Sequence, residues 1–166
     1  MMLRVRQLIP SLTLLTAQGL TVRAWDFKQK KNLVIVFLDK ECTLCDAFIG
    51  SLTSHAKALR EKEAVMLLVF PQGSSLALSK SLPSEIIAGS DVGGSGTRLF
   101  FGEDEVSARD LHRRGVFITD RYGELSAQWL VSEHEFPGIR EIRSSLESIE
   151  IACEECSVPD WPVDDG

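Results

Sequence analysis

The chain has 166 residues, of which 44% are apolar and 25% charged, and its formal net charge is -6. That profile suits one globular domain able to bury a core, and it excludes a disordered tail protein, a collagen-like rod and a multidomain enzyme. The acidic balance also argues against binding nucleic acid through its phosphates.

No run of about 18 apolar residues occurs, so no transmembrane helix and no membrane partner are expected. Arg4 and Arg6 precede a stretch, Leu8 to Ala17, with a faint signal-peptide character, but Pro10, Ser11 and Thr13 interrupt it. The same residues read as structure. Leu12, Leu14 and Leu15, then Gln18-Gly19, then Leu20 to Trp25 predict two strands around a glycine turn. The segment is therefore read as mature protein, and a cytoplasmic location is expected.

Leu33 to Leu38 is a continuous apolar run rich in β-branched residues, as in a central strand buried on both faces. From Cys42 toward Ala64 the spacing turns helical, through Leu44, Phe48, Ile49, Leu52, Ala56 and Leu59. Ala64 to Phe70 predicts a second buried strand, closed by Pro71. Strand, helix and strand form a βαβ unit with a parallel pair.

Residues 72 to 97 are rich in Ser and Gly. A helix is expected between Leu76 and Ile87 around Pro83, and Asp91 to Gly96 reads as a loop. Its Gly93-Gly94-Ser95-Gly96 lacks the Lys and Ser/Thr of a P-loop and follows no clear strand, so a phosphate cradle is not favoured. Leu99 to Phe101 reads as a short strand. Gly115 to Thr119 is a clear strand, Asp120 to Gly123 a turn, and Glu124 to Leu130 its antiparallel return. Gly138 to Ile149 predicts an amphipathic helix through Ile139, Ile142, Leu146 and Ile149. The expected architecture is α/β, a mixed sheet with helices on both faces and an N-terminal β-hairpin. Residues 1–150 form the domain and residues 151–166 an acidic tail. The segment from Glu141 onward carries eight acidic residues and one basic, either as a solvated tail or as a docking surface for a basic partner.

The four cysteines form two Cys-x-x-Cys pairs, Cys42/Cys45 and Cys153/Cys156. Four are too few for a small disulfide scaffold. Cys42 stands where the predicted strand hands over to the helix. The first turn of a helix offers unpaired N–H groups and a partial positive charge, which stabilise a thiolate, the nucleophile of disulfide exchange and peroxide reduction. Lys40 would add to that effect, and Glu41 and Asp46 would oppose it. Two intervening residues allow Cys42 and Cys45 to close a small disulfide. The competing reading is two structural thiols under a loop.

These stretches resemble the thioredoxin-like superfamily, and within it the redoxin branch of alkyl hydroperoxide reductase/thiol-specific antioxidant proteins, the peroxiredoxins, and their thiol-disulfide oxidoreductase relatives. The resemblance rests on Ile9-Pro-Ser-Leu-Thr-Leu14 with Gly19-Leu-Thr-Val-Arg23, on Leu33 to Cys45, and on Arg114-Gly-Val-Phe-Ile-Thr-Asp-Arg-Tyr-Gly-Glu-Leu125. It implies thiol-based redox chemistry, with no cofactor, on a disulfide or peroxide substrate, and an external thiol donor such as a thioredoxin. Against thioredoxins, Cys42 matches the attacking cysteine and Cys45 the resolving one, but the approach to the facing strand, His112-Arg-Arg-Gly115, lacks the family's proline. Against peroxiredoxins, Cys45 falls at the peroxidatic position and Arg114 at the catalytic arginine. The Pro and Thr of that family's Pro-x-x-x-Thr-x-x-Cys loop are Leu38 and Cys42 here. Both cysteines stay candidates for the nucleophile.

For Cys153 and Cys156 three readings stand: a shuttle dithiol that reduces Cys42/Cys45, half of a zinc site made by all four cysteines, or a local disulfide or inert tail thiols. Cys45 and Cys153 lie 108 positions apart, whereas zinc knuckles are usually separated by about 15–20 residues. A redox-sensing or zinc-binding module without turnover is the alternative of another class. His55 reads as surface or packing, His112 as a possible source of positive field beside Arg114, and His134 as part of a polar turn. Trp25, Trp129 and Trp161 read as core or surface plugs.

Overall fold

A computed structural model describes residues 3–39, 42–71, 82–102, 114–131 and 136–156, with side chains in the final helix described as far as Ile151. The strands are β1 (Thr13–Leu15), β2 (Thr21–Arg23), β3 (Asn32–Phe37), β4 (Ala64–Phe70), β5 (Ile86–Asp91), β6 (Arg114–Thr119) and β7 (Leu125–Val131). The α-helices are α1 (Thr43–Ser54), α2 (Ala56–Arg60), α3 (Ser95–Phe101) and α4 (Ile139–Cys156). All seven strands join one sheet in the order β2-β1-β5-β4-β3-β6-β7. The β3–β4 and β4–β5 pairs are parallel, and the others are antiparallel.

Every residue of β3 is buried, as its unbroken apolar run predicts. Alternation sends Val34, Val36 and Leu38 to one face, where α1, α2 and α4 pack through Phe48, Leu52, Leu59, Ile142, Leu146 and Ile149. Leu33, Ile35 and Phe37 face the other way, toward Phe100 and Phe101 of α3 and the N-terminal hairpin residues Leu12 and Leu14. There the rings of Phe37, Phe100, Phe101 and Phe117 form a mutual cluster with centroids 5.1–5.6 Å apart. Helices therefore cover both faces, as expected.

Four expectations need correction. Leu99–Phe101 is the end of α3, not a strand. Its aromatic residues favour strands in isolation, but the adjacent Phe100 and Phe101 both turn into the core from the helix, leaving Leu99 exposed. Ile86 and Ile87 open β5, a strand the sequence reading missed, so no helix reaches Ile87; residues 72–81 lie outside the described residues. The small residues of β5 hide its character. Gly89 is required there because a Cβ would come within 2.7 Å of the Leu14 Cβ on the neighbouring strand.

Asp91 to Gly96 is likewise not a plain loop. It holds the end of β5, a 3-10 turn over Val92–Gly94 and the start of α3. Gly93 and Gly94 take left-handed φ values of 65° and 72°. Gly94, the N-cap of α3, has no side chain to offer, and buried Asp91 replaces it. Its Oδ1 accepts the Gly96 N–H at 2.8 Å, and its Oδ2 accepts the Thr97 N–H and hydroxyl, each at 2.8 Å. The segment does follow a strand, β5, contrary to the expectation, but these N–H groups are taken by a carboxylate. Finally, α4 continues through Cys156, past the helix end expected at Ile149.

Candidate redox site

The site forms at the C-terminal end of β3. Cys42 is the N-cap of α1, with extended backbone (φ -116°, ψ 107°), and its Sγ accepts the Cys45 N–H at 3.0 Å. The sulfur thus occupies the place usually held by a capping oxygen. Cys42 and Cys45 are joined by a disulfide, with Cα atoms 5.1 Å apart, inside the ordinary range for such bridges. The two sulfurs differ in surroundings. Cys42 is partly buried at the edge of the core, whereas Cys45 is 1% exposed and packs with Phe48, Ile49 and Leu52.

Arg114 opens β6, the antiparallel neighbour of β3. Because Phe37 pairs with Gly115, Arg114 lies level with the chain leaving β3 toward Cys42. Its Nη1 donates to Cys42 Sγ at 3.7 Å. Gly115 keeps this strand end closely packed: a Cβ there would meet the Trp129 carbonyl oxygen at 3.0 Å and the Phe101 ring at 3.1 Å. The structure therefore unites three residues that sequence places at positions 42, 45 and 114. On the buried side, Phe48 stacks on Phe136 with centroids 4.5 Å apart and planes within 5°. This ties α1 to the segment leading into α4. The sequence reading missed Phe136; its signal was a lone aromatic between a polar turn and Pro137.

The second pair is elsewhere. The Glu150 carboxylate accepts from Asn32 Nδ2 at 2.9 Å and from Arg121 Nη2 at 2.8 and 3.1 Å. Asn32 is the first residue of β3, so α4 at Glu150 has reached the end of the sheet opposite Cys42. Six residues of strand separate these ends by about 20 Å. The backbone of Cys153 lies three residues, about 4.5 Å of helix, beyond Glu150. The side chains of Cys153 and Cys156 lie outside the described residues, as do Lys40, Glu41, His112, His134 and residues 157–166. Among the described residues, no three His, Cys, Asp or Glu side chains cluster to hold a metal. His55 is exposed at the α1–α2 junction, its Nδ1 2.9 Å from the Ser51 carbonyl oxygen. No helix among the described residues is long and apolar enough to cross a membrane.

No protein-family model matches the sequence, and no curated protein matches it significantly. Solved structures do match. The mitochondrial 2-Cys peroxiredoxin from Plasmodium falciparum superposes with a TM-score of 0.71 at 18% identity, over 96% of this chain and 100% of that one. The reduced 2-Cys peroxiredoxin of Plasmodium vivax gives 0.73 at 16% identity, over 98% and 90%. AhpC of Mycobacterium bovis gives 0.70 at 16% identity, over 90% and 99%. The chain thus has the thioredoxin-like fold of the peroxiredoxins, along nearly its whole length.

Proposed function

We propose that the chain is a thiol-disulfide oxidoreductase in which Cys42 attacks and Cys45 resolves. One observation carries this reading. The partly buried Cys42 sulfur receives an N–H from the helix terminus and a guanidinium N–H from Arg114, while the Cys45 sulfur is enclosed. Both donors favour a negatively charged sulfur, and the thiolate is the nucleophile.

In the reduced protein the Cys42 thiolate attacks one sulfur of a substrate disulfide. An S–S bond forms, the substrate bond breaks, and one substrate thiolate leaves and takes a proton. Cys45, having lost its proton, then attacks Cys42 Sγ. That step forms the Cys42–Cys45 disulfide and expels the second substrate thiolate. Two electrons have passed from protein to substrate. An external dithiol, such as a thioredoxin, restores the reduced pair by the reverse exchange. A cytoplasmic location would supply such a donor.

Peroxide reduction is the second reading, supported by Arg114 beside the sulfur and by the fold shared with peroxiredoxins. There a thiolate attacks a peroxide oxygen, the O–O bond breaks, and the departing alkoxide or hydroxide takes a proton. Cys45 holds the family's peroxidatic position but its sulfur is enclosed, so the attack passes to Cys42 beside Arg114; the resulting Cys42 sulfenic acid condenses with Cys45, releasing water. The threonine hydroxyl of the family loop is replaced by Cys42 itself, which favours the disulfide reading as the main one.

The test is rapid mixing of fully reduced protein with either a small disulfide or hydrogen peroxide, with the products mapped by mass spectrometry. Fast formation of Cys42–Cys45 with the disulfide, and thiol loss with peroxide no faster than for free cysteine, supports the main reading. Peroxide reactivity orders of magnitude above free cysteine replaces it with the second. Slow reaction with both leaves a sensing or zinc-binding module.

A further inference from the structure

We propose that Ser157–Gly166, the ten residues after α4, dock in the same chain onto a groove at the end of the sheet opposite the cysteine pair. The groove lies between the loop before β3 and the β6–β7 turn, lined by Leu8, Trp25, Lys28, Lys31, Arg121 and Tyr122. Its walls are unusually apolar for an open surface. Leu8 is 67% exposed, Trp25 58% and Tyr122 53%, three of the five most exposed large apolar residues among those described. Such clustering marks an interaction surface, whereas scattered exposed residues would not.

The groove also carries more cations than carboxylates: Lys28, Lys31 and Arg121 line it against one carboxylate, Asp120, and Arg23 and Lys30 stand on the same segment as Lys28, beside Asp26. Several nearby charges are already satisfied. Lys31 bonds Glu63 at 2.7 Å, Arg121 bonds Glu150, and the Asp120 carboxylate accepts the Tyr122 and Glu124 N–H groups. Lys28 rests over the Trp25 ring, 5.7 Å from its centroid, and has no carboxylate partner among the described residues. A fitting occupant therefore brings an aromatic or apolar group flanked by carboxylates.

Ser157-Val-Pro-Asp-Trp-Pro-Val-Asp-Asp-Gly166 has that chemistry: one indole, two valines, and Asp160, Asp164 and Asp165. Pro159 and Pro162 restrict the backbone and lower the entropy lost on docking. The path is short. Glu150 of α4 touches Arg121, which lines the groove. From Glu150 the helix runs six further residues, about 9 Å, to Cys156. Trp161 follows five residues later, and an extended chain of that length spans about 16 Å, enough to turn back to the groove. Tethering gives an effective concentration on the order of millimolar. Even a contact with a dissociation constant of about 0.1 mM between separate molecules would then be occupied about tenfold over the free state.

The test uses the full chain and its full-length variants, by nuclear Overhauser contacts from the Trp161 indole. Contacts to Leu8 methyls and the Tyr122 ring are expected in the parent protein. They should vanish in Lys28→Glu/Lys30→Glu and return when Asp160→Lys, Asp164→Lys and Asp165→Lys are added. Urea unfolding of each variant confirms that it is folded. Absence of contacts in the parent protein overturns the proposal. So do contacts that fade on hundredfold dilution, which would place the tail on a second copy, and charge reversal without effect. The redox reading does not enter this test.

Discussion

Asp91 gives the most demanding test of the packing behind the site. Its carboxylate is 1% exposed and accepts three donors: the N–H groups of Gly96 and Thr97 and the Thr97 hydroxyl. Asp91→Ala leaves all three without a partner. Thr97 is itself 4% exposed, so water reaches them poorly. An orphaned buried donor costs about 1–3 kcal/mol, and partial relaxation makes the sum about 3–5 kcal/mol. Asp91→Asn keeps one acceptor oxygen but turns an NH2 group toward a backbone donor. It should lose an intermediate amount, about 1.5–3 kcal/mol. The assay is urea unfolding followed by circular dichroism, with every sample in the same redox state. With a slope of roughly 2 kcal/mol per molar, the alanine midpoint should fall by about 2 M at unchanged slope. A loss below about 1 kcal/mol would refute the argument that this carboxylate replaces the missing cap of α3.

Four further outcomes follow from the same geometry. Arg114→Met should slow attack on a disulfide by about 10- to 100-fold, and stopped-flow pH profiles should show thiolate reactivity emerging at higher pH, which a purely structural role would not produce. Gly115→Ala should destabilise by about 1–3 kcal/mol in thermal unfolding, since its Cβ meets the Trp129 backbone and the Phe101 ring. Glu150→Ala should cost about 1–2 kcal/mol in urea unfolding, because half-buried Arg121 loses its carboxylate and buried Asn32 keeps only the Lys62 carbonyl as acceptor. The Lys31 hydrogen bond and charge hold the Glu63 carboxyl below its ordinary 4.5. Its stabilisation is therefore present above that value and lost as pH falls through the lowered one; Lys31→Met should flatten this slope by no more than about 0.5 kcal/mol, because both groups are exposed.

What sequence disclosed follows from how local each signal is. Ala64–Phe70 is legible as a strand because an unbroken apolar run needs no partner to declare itself. Cys42 at a helix start is legible because strand and helix patterns meet at that residue. β5 was hidden because its suitability lies across the sheet: Gly89 is chosen by the approach of Leu14, which no local pattern encodes. α3 was misread for a related reason, since its cap comes from Asp91 rather than from the glycine at its start. Resemblance brought Arg114 to the site but left open which cysteine it serves. The strand register and the 3.7 Å contact place it on Cys42. The position of the second pair depended on the direction of α4, fixed by Glu150 on Asn32 and Arg121.

The most direct measurement of the central claim is trapping the first covalent intermediate. Reduced Cys45→Ser and Cys42→Ser proteins would each be mixed with a small aromatic disulfide, and adducts followed by mass spectrometry at early times. The account predicts a rapid, stable mixed disulfide on Cys42 in the Cys45→Ser protein, with Cys45 in the Cys42→Ser protein reacting at least tenfold more slowly, roughly the effect of 1.4 kcal/mol. Rapid adduct formation on Cys45, with Cys42 inert, would contradict the assignment of Cys42 as the attacking thiolate.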